Sequence, residues 1–184
     1  WKKEYRDFIL LYAKIAQESD VELFCIGTEL SRLSVEKPEF WVTLIKDIRK
    51  IYSGKLTYAA NWMNEFEKIT FWNDLDYIGV QAYFPLTKNK YPSVEQISEG
   101  WKKHLLPLEE IHENYNKKIL FTEMGYKSTA DSAIKPWEWI ENYTDHKDLV
   151  SYETQANCYQ AFFNEVWNKE WFEGVHIWQL RSDY

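Results

Sequence analysis

The chain has 184 residues, 45% of them hydrophobic and 28% charged, which fits one folded domain over 1–184 and excludes a disordered chain. A net charge of −7 leaves no basic stripe to neutralise phosphates, so nucleic acid is not an expected partner. No apolar run approaches the ~18 residues of a membrane span, and the two cysteines, Cys25 and Cys158, read as free thiols without metal spacing.

Trp1, Tyr5, Phe8, Ile9, Tyr12 and Ala16 recur at helical spacing and predict a first helix ending near Glu18-Ser19-Asp20. That pattern is already running at Trp1, so the sequence reads as continuing upstream. A strand is expected over 21–27. Pro38 then opens a helix with the stripe Trp41, Leu44, Ile45, Ile48 and Tyr52, and Gly54 is placed as its C-terminal cap. Lys55 to Ala60 reads as a strand ending in Asn61-Trp62, and the connection 63–73 has room only for a short helix. A further strand is expected over 76–83, closed by Pro85. Ser93-Val94-Glu95-Gln96 is a capping box opening a helix striped by Val94, Ile97, Trp101, Leu105, Leu108 and Ile111, with Pro107 expected to kink or divide it. A strand over 118–122 and a long irregular connection over 127–150 follow. The last two elements are a helix from Tyr152 to about Lys169, with Ala156, Tyr159, Phe163, Val166 and Trp167 on one face, and a strand over 174–179.

Strict alternation without hairpin signals implies parallel strands joined by right-handed crossovers. A doubly wound sheet is the alternative, but no glycine-rich phosphate loop follows any strand. The expected fold is therefore α/β: the C-terminal five β-α units of a (β/α)8 TIM barrel, a fold of ~250 residues, with the first three strands absent from this chain.

Two apolar runs break on a Thr-Glu pair. They are Val21 to Glu29 and Lys118 to Glu123, and each carboxylate would emerge at a strand's C-terminal end. In a parallel barrel these ends share the face that carries the chemistry. Two carboxylates on one rim can hydrolyse a glycosidic bond, one protonating the leaving oxygen while the other attacks the anomeric carbon. Other strand ends contribute Asn61 and Trp62, Gln81 and Tyr83, and Trp178. The chain carries ten Trp and thirteen Tyr, and such rings serve either a core or a cleft that stacks on sugar faces. Trp137 and Trp139, on the long connection behind Glu123, are further candidates for that stacking, since long loops of this kind tend to be functional.

Phe24-Cys25-Ile26-Gly27-Thr28-Glu29-Leu30, Phe121-Thr122-Glu123-Met124-Gly125-Tyr126 and Val175-His176-Ile177-Trp178-Gln179 together resemble the clan of retaining barrel glycosidases with glutamates on strands four and seven. Within it, the Gly-Thr-Glu-Leu and Thr-Glu-Met-Gly-Tyr pieces are most similar to glycoside hydrolase family 113. The resemblance implies a β-1,4-mannanase-type activity on an oligo- or polysaccharide, without cofactor or metal. It matches Glu29 to the acid/base, Glu123 to the nucleophile, Tyr83 to the sixth-strand tyrosine beside the nucleophile, and Trp178 to the eighth-strand sugar platform. One departure is Thr28, where the wider clan carries an Asn that holds the substrate 2-hydroxyl.

His104, His112, His146 and His176 form no metal or triad spacing, and His176 is expected in the core or behind the site. No Gly-x-Ser-x-Gly elbow is present. Asn142-Tyr143-Thr144 is a glycosylation sequon of low information. Against the glycosidase stands a non-catalytic carbohydrate-binding barrel, which would keep the aromatic cleft but has no use for paired glutamates. A clan relative acting on another β-glycan is the third possibility. Neither compartment nor oligomeric state is legible.

Overall fold

The computed structural model describes residues 1–138 and 149–179. Its elements are α1 (Lys2–Glu18), β1 (Leu23–Thr28), α2 (Ser31–Glu36), α3 (Pro38–Ile48), β2 (Lys55–Asn61), a 3₁₀ turn (Trp72–Asp74), β3 (Ile78–Gln81), α4 (Val94–Tyr115), β4 (Ile119–Met124), α5 (Tyr152–Glu165) and β5 (Phe172–Ile177). All five strands pair in parallel, in the order β1-β2-β3-β4-β5. A doubly wound sheet reverses its strand order at a switch point, and this one never does. With right-handed crossovers, sequential order sends every connection over the same face, which is the winding of a barrel wall.

The core lies between sheet and helices. Leu56, Tyr58, Ile78, Val80, Ile119 and Phe121 are buried in the central strands, and Trp41, Leu44, Ile45 and Ile48 of α3 pack from one side. Trp41 stands edge-on to Tyr58 with ring centroids 4.9 Å apart, and Trp101 of α4 lies parallel to Phe121 at 6.1 Å. Gly79 has no side chain for a specific reason: a Cβ there would sit 2.3 Å from the Tyr58 carbonyl oxygen of the neighbouring strand. The α4 capping box is present, with the Ser93 hydroxyl accepting from Gln96 N and the Gln96 side chain accepting from Ser93 N. Such a cap is worth about 1 kcal/mol.

Several expectations need correction. Helix α2 went unforeseen, and Pro107 does not divide α4, which runs unbroken through it. Gly54 does not cap α3. That helix ends at Ile48, Gly54 lies beyond it, and no glycine has a positive φ. Instead, the Tyr52 ring leaves Gly54 no room for a Cβ, since its hydroxyl would lie 2.2 Å away. On α1 the buried face is Ile9, Ala13 and Ala16, while Trp1, Phe8, Leu11, Tyr12 and Ile15 are exposed. On α5, which ends at Glu165 and not near Lys169, the buried face is Thr154, Cys158, Ala161 and Phe162; of the expected stripe Val166 is buried just past the helix, while Ala156, Phe163 and Trp167 are exposed. Both helices carry large apolar groups around most of their circumference, so periodicity alone does not single out the inward face. His176, too, is exposed rather than buried, because β5 lies at the edge of the sheet.

Candidate active site

Parallel register sets one row of polar side chains across the C-terminal ends of the strands. Asn61 pairs with Gln81, and Gln81 pairs with Glu123, so three neighbouring strands present these residues side by side. Glu29 extends the row at the end of β1, beside β2. It lies one residue past β1, where its N–H donates to the Ala59 carbonyl at 2.9 Å. Its φ of 48° is left-handed, a conformation that a glutamate adopts only when its surroundings hold it there. The chain turns sharply out of the strand at this residue. Glu123 differs in being still inside β4, and its carbonyl accepts from Ala82 N at 2.7 Å.

These residues line one cleft of about 440 Å³ formed by Glu29, Asn61, Trp62, Met63, Gln81, Tyr83, Glu123 and Trp137. The Asn61 amide donates to Glu29 Oε1 at 2.7 Å, while its own Oδ1 accepts from Met63 N at 2.7 Å. Burial pushes the Glu29 carboxyl above the ordinary glutamate range. The Asn61 bond pulls it down, and the negative charges of Glu65 and Glu123 push it up further, so the balance is upward. The residue as a whole is exposed, since it borders the open flank of β1, and its carboxylate is only partly withdrawn from water.

Tyr83 is buried beside Glu123. Its phenol is pushed far up, first by burial and then by the charge of Glu123, so it stays protonated. Its hydroxyl nonetheless makes no hydrogen bond of normal geometry, and the side-chain amide oxygen of Gln81, Oε1, is also unpartnered. Both atoms are buried from solvent, on residues that line the cleft. Trp62 meets Trp137 at 5.2 Å between ring centroids and Phe84 at 6.0 Å, and this forms an aromatic wall.

The described part of the 127–150 connection is built into the structure. Thr129 bridges Val150, Ala130 N donates to the Leu149 carbonyl at 2.7 Å, and the Ala133 carbonyl accepts from Leu86 N at 2.8 Å. These bonds place Trp137 over the cleft. Trp178 is separate. It follows β5, is exposed, donates from its backbone to the Met124 carbonyl at 2.9 Å, and does not line the cleft. Trp139, His146 and the 142–144 sequon lie outside the described residues. His104 stacks on Phe84 and contacts the Pro85 carbonyl, and His112 contacts the Lys117 carbonyl, so neither faces the cleft.

Sequence reasoning missed Met63, which lines the cleft, and Glu65, which is completely buried behind it. Glu65 Oε1 accepts from Tyr58 Oη at 2.7 Å and Ser34 Oγ at 2.6 Å, and Oε2 accepts from Asn61 N at 2.7 Å and Ser31 Oγ at 2.9 Å. In the polar stretch Asn61-Trp62-Met63-Asn64-Glu65-Phe66 nothing marks this glutamate as internal.

The model of glycoside hydrolase family 113 matches residues 1–184. Among solved structures, a complex of a family 113 β-1,4-mannanase superposes with a TM-score of 0.81 at 27% identity, covering 97% of this chain and 52% of that one. The family 113 β-mannanase AaManA from Alicyclobacillus acidocaldarius, in complex with ManMIm, gives 0.80 at 27% identity, with 97% and 51% covered. A β-glucuronidase from Ruminococcus gnavus shares the fold alone, with a TM-score of 0.68 at 14% identity over 97% of this chain and 30% of that one. A search of curated proteins finds no match. The chain spans about half the length of the mannanases it matches, its sheet is wound as part of a TIM-barrel glycosidase, and by the family match it belongs to glycoside hydrolase family 113.

Proposed function

We propose that this chain carries the catalytic pair of a retaining glycosidase acting on β-1,4-linked mannan or a related β-glycan. The observation that carries the reading is the placement of Glu29 and Glu123 in one cleft, with Trp62 and Trp137 along it. Glu29 is the acid/base: its raised carboxyl favours the protonated form that must donate to the departing glycosidic oxygen. Glu123 is the nucleophile, attacking the anomeric carbon from the opposite side to give a covalent glycosyl-enzyme. Glu29, now ionised, then deprotonates the water that releases the sugar with net retention. Tyr83, protonated beside Glu123, restrains the nucleophile's rotamer. The tryptophans along the cleft supply flat apolar faces for the sugar rings.

In this reading the five β-α units belong to an eight-stranded barrel whose first three units lie outside this chain. Apolar groups exposed at both ends of the sheet support it. Phe8, Leu11, Tyr12 and Ile15 lie bare on α1, and Ile177, Trp178, Phe163 and Trp167 lie bare at β5 and α5. Trp178 would then meet substrate together with residues of the remaining strands. The similar solved structures named as β-mannanases support mannan over other β-glycans.

The test uses the full-length protein. Glu123→Ala should abolish turnover of mannan, and added azide should restore activity as a glycosyl azide of inverted configuration. Glu29→Ala should damage substrates with poor leaving groups most. Near-native rates on mannan for both variants would overturn the assignment.

A further inference from the structure

We infer that Glu65 is the positioning residue for the acid/base, holding Glu29 from both sides through one buried carboxylate. The inference rests on the role proposed above for Glu29, but its geometry stands by itself. Glu65 is completely buried, and four donors converge on it, two from α2 and two from β2.

Two of those donors lead to Glu29. Through Oε2, Glu65 fixes the backbone of Asn61, whose amide donates to Glu29 Oε1. Through Oε1 it fixes the Tyr58 hydroxyl, which in turn accepts from Leu30 N at 2.7 Å. Leu30 directly follows Glu29, whose backbone is left-handed. The two serines, Ser31 and Ser34, tie the same carboxylate to α2, the helix that begins as the chain leaves Glu29. The strained turn and the carboxylate it presents are thus clamped at the residue after Glu29 and at its side-chain partner. A completely buried carboxylate with no cation among its partners costs a protein stability, and it persists when it is fully hydrogen-bonded and serves a purpose that an apolar group cannot.

The same carboxylate also acts at a distance. Its negative charge is one of the causes that raise Glu29. The other charged or titratable groups facing Glu29 are Glu123 on β4 and Tyr83 after β3. On the open flank they are Lys2 of α1, Arg32 and Glu36 of α2, and Lys37. Among the described residues, only Glu65 combines charge with direct control of the atoms that orient Glu29.

Glu65→Gln in the full-length protein is the test. The amide oxygen can keep the Asn61 N–H. Its NH₂ then takes the place of Oε1 and faces Ser34, which is free to donate to the Ser31 carbonyl at 3.2 Å instead, and the Tyr58 hydroxyl, which loses its acceptor. Tyr58→Phe is the second variant, cutting the link to Leu30 N while leaving the Glu65 charge. Three readouts are made: thermal melting, the titration of Glu29 by ¹³C NMR of labelled glutamate, and kcat/KM against pH for a manno-oligosaccharide and an activated aryl glycoside.

E65Q should melt cooperatively, titrate Glu29 at lower pH, and move the basic limb of kcat/KM the same way. It should also lose about tenfold more on the oligosaccharide than on the aryl glycoside, part of the 10²–10⁴ that an acid supplies. Y58F should show the same leaving-group selectivity without the downward shift of the limb. Equal losses on both substrates with an unmoved Glu29 would reduce Glu65 to packing and overturn the inference, whichever variant folds. A wild-type protein that cleaves no glycan, but whose Glu29 still moves in E65Q, would sink the functional reading and leave the clamp standing.

Discussion

Asn61→Ala separates the account from its rivals by a sign. Asn61 makes two side-chain hydrogen bonds, to Glu29 Oε1 and from Met63 N, both at 2.7 Å. Exposed bonds of this kind contribute about 0.5–1.5 kcal/mol each to stability, so the variant should lose about 1–3 kcal/mol. For a protein of this size that is a fall of roughly 2–12 °C in Tm. The catalytic effect comes from the bond to Glu29, which involves a charged acceptor and is worth about 1.5–3 kcal/mol when fully expressed. Partial solvent access brings the loss in kcat/KM on a manno-oligosaccharide to about tenfold, where each 1.4 kcal/mol is a decade. The pH profile carries the decision. The Asn61 bond stabilises the ionised form of Glu29 and lowers it against burial and the charges of Glu65 and Glu123. Without that bond Glu29 rises further, so the basic limb of kcat/KM should move to higher pH, opposite in sign to E65Q. A limb that stays put or moves down in N61A would refute the electrostatic reasoning, even if activity fell as expected.

Further outcomes follow from the same geometry. Because Glu29 is raised on folding, the native state binds its proton more tightly than the unfolded chain does, and stability falls as pH climbs from the ordinary glutamate value through the raised one. Glu29→Gln should therefore have a higher Tm than wild type near about pH 7, with the gap closing at about pH 4, and differential scanning calorimetry at the two values would show it. Gly79→Ala forces a Cβ to within 2.3 Å of the Tyr58 carbonyl oxygen and should cost about 3 kcal/mol or more, visible as a lower urea midpoint. Trp137→Ala removes the ring that meets Trp62 and should weaken long oligosaccharides about tenfold while sparing a short activated glycoside. Equal losses on both would assign Trp137 to structure.

Much of this was legible from residue order. The five strands lie where apolar β-branched and aromatic runs place them, and both glutamates mark C-terminal ends because each run stops on a Thr-Glu pair. The α4 boundary was legible because a capping box is local chemistry. What the sequence concealed depends on contacts between distant residues. The inward faces of α1 and α5 were obscured because both helices carry aromatic groups nearly all round. Trp178 stands apart from the cleft it was expected to line, since β5 ends the described sheet. Glu65 was hidden because a buried, cation-free carboxylate has no local signature. Only the meeting of Tyr58, Ser31, Ser34 and the Asn61 backbone makes its position tolerable. The left-handed turn at Glu29 escaped notice for a related reason, because nothing in Gly-Thr-Glu-Leu announces a positive φ.

The central claim is that Glu123 attacks the sugar and forms a covalent intermediate. Incubating the full-length protein with a 2-deoxy-2-fluoro-mannosyl fluoride slows release of that intermediate, and the digested protein can then be read by mass spectrometry. The account predicts a single fluoro-mannosyl adduct, on Glu123, absent after Glu123→Gln. An adduct on Glu29, or full inactivation without any adduct on Glu123, would contradict it.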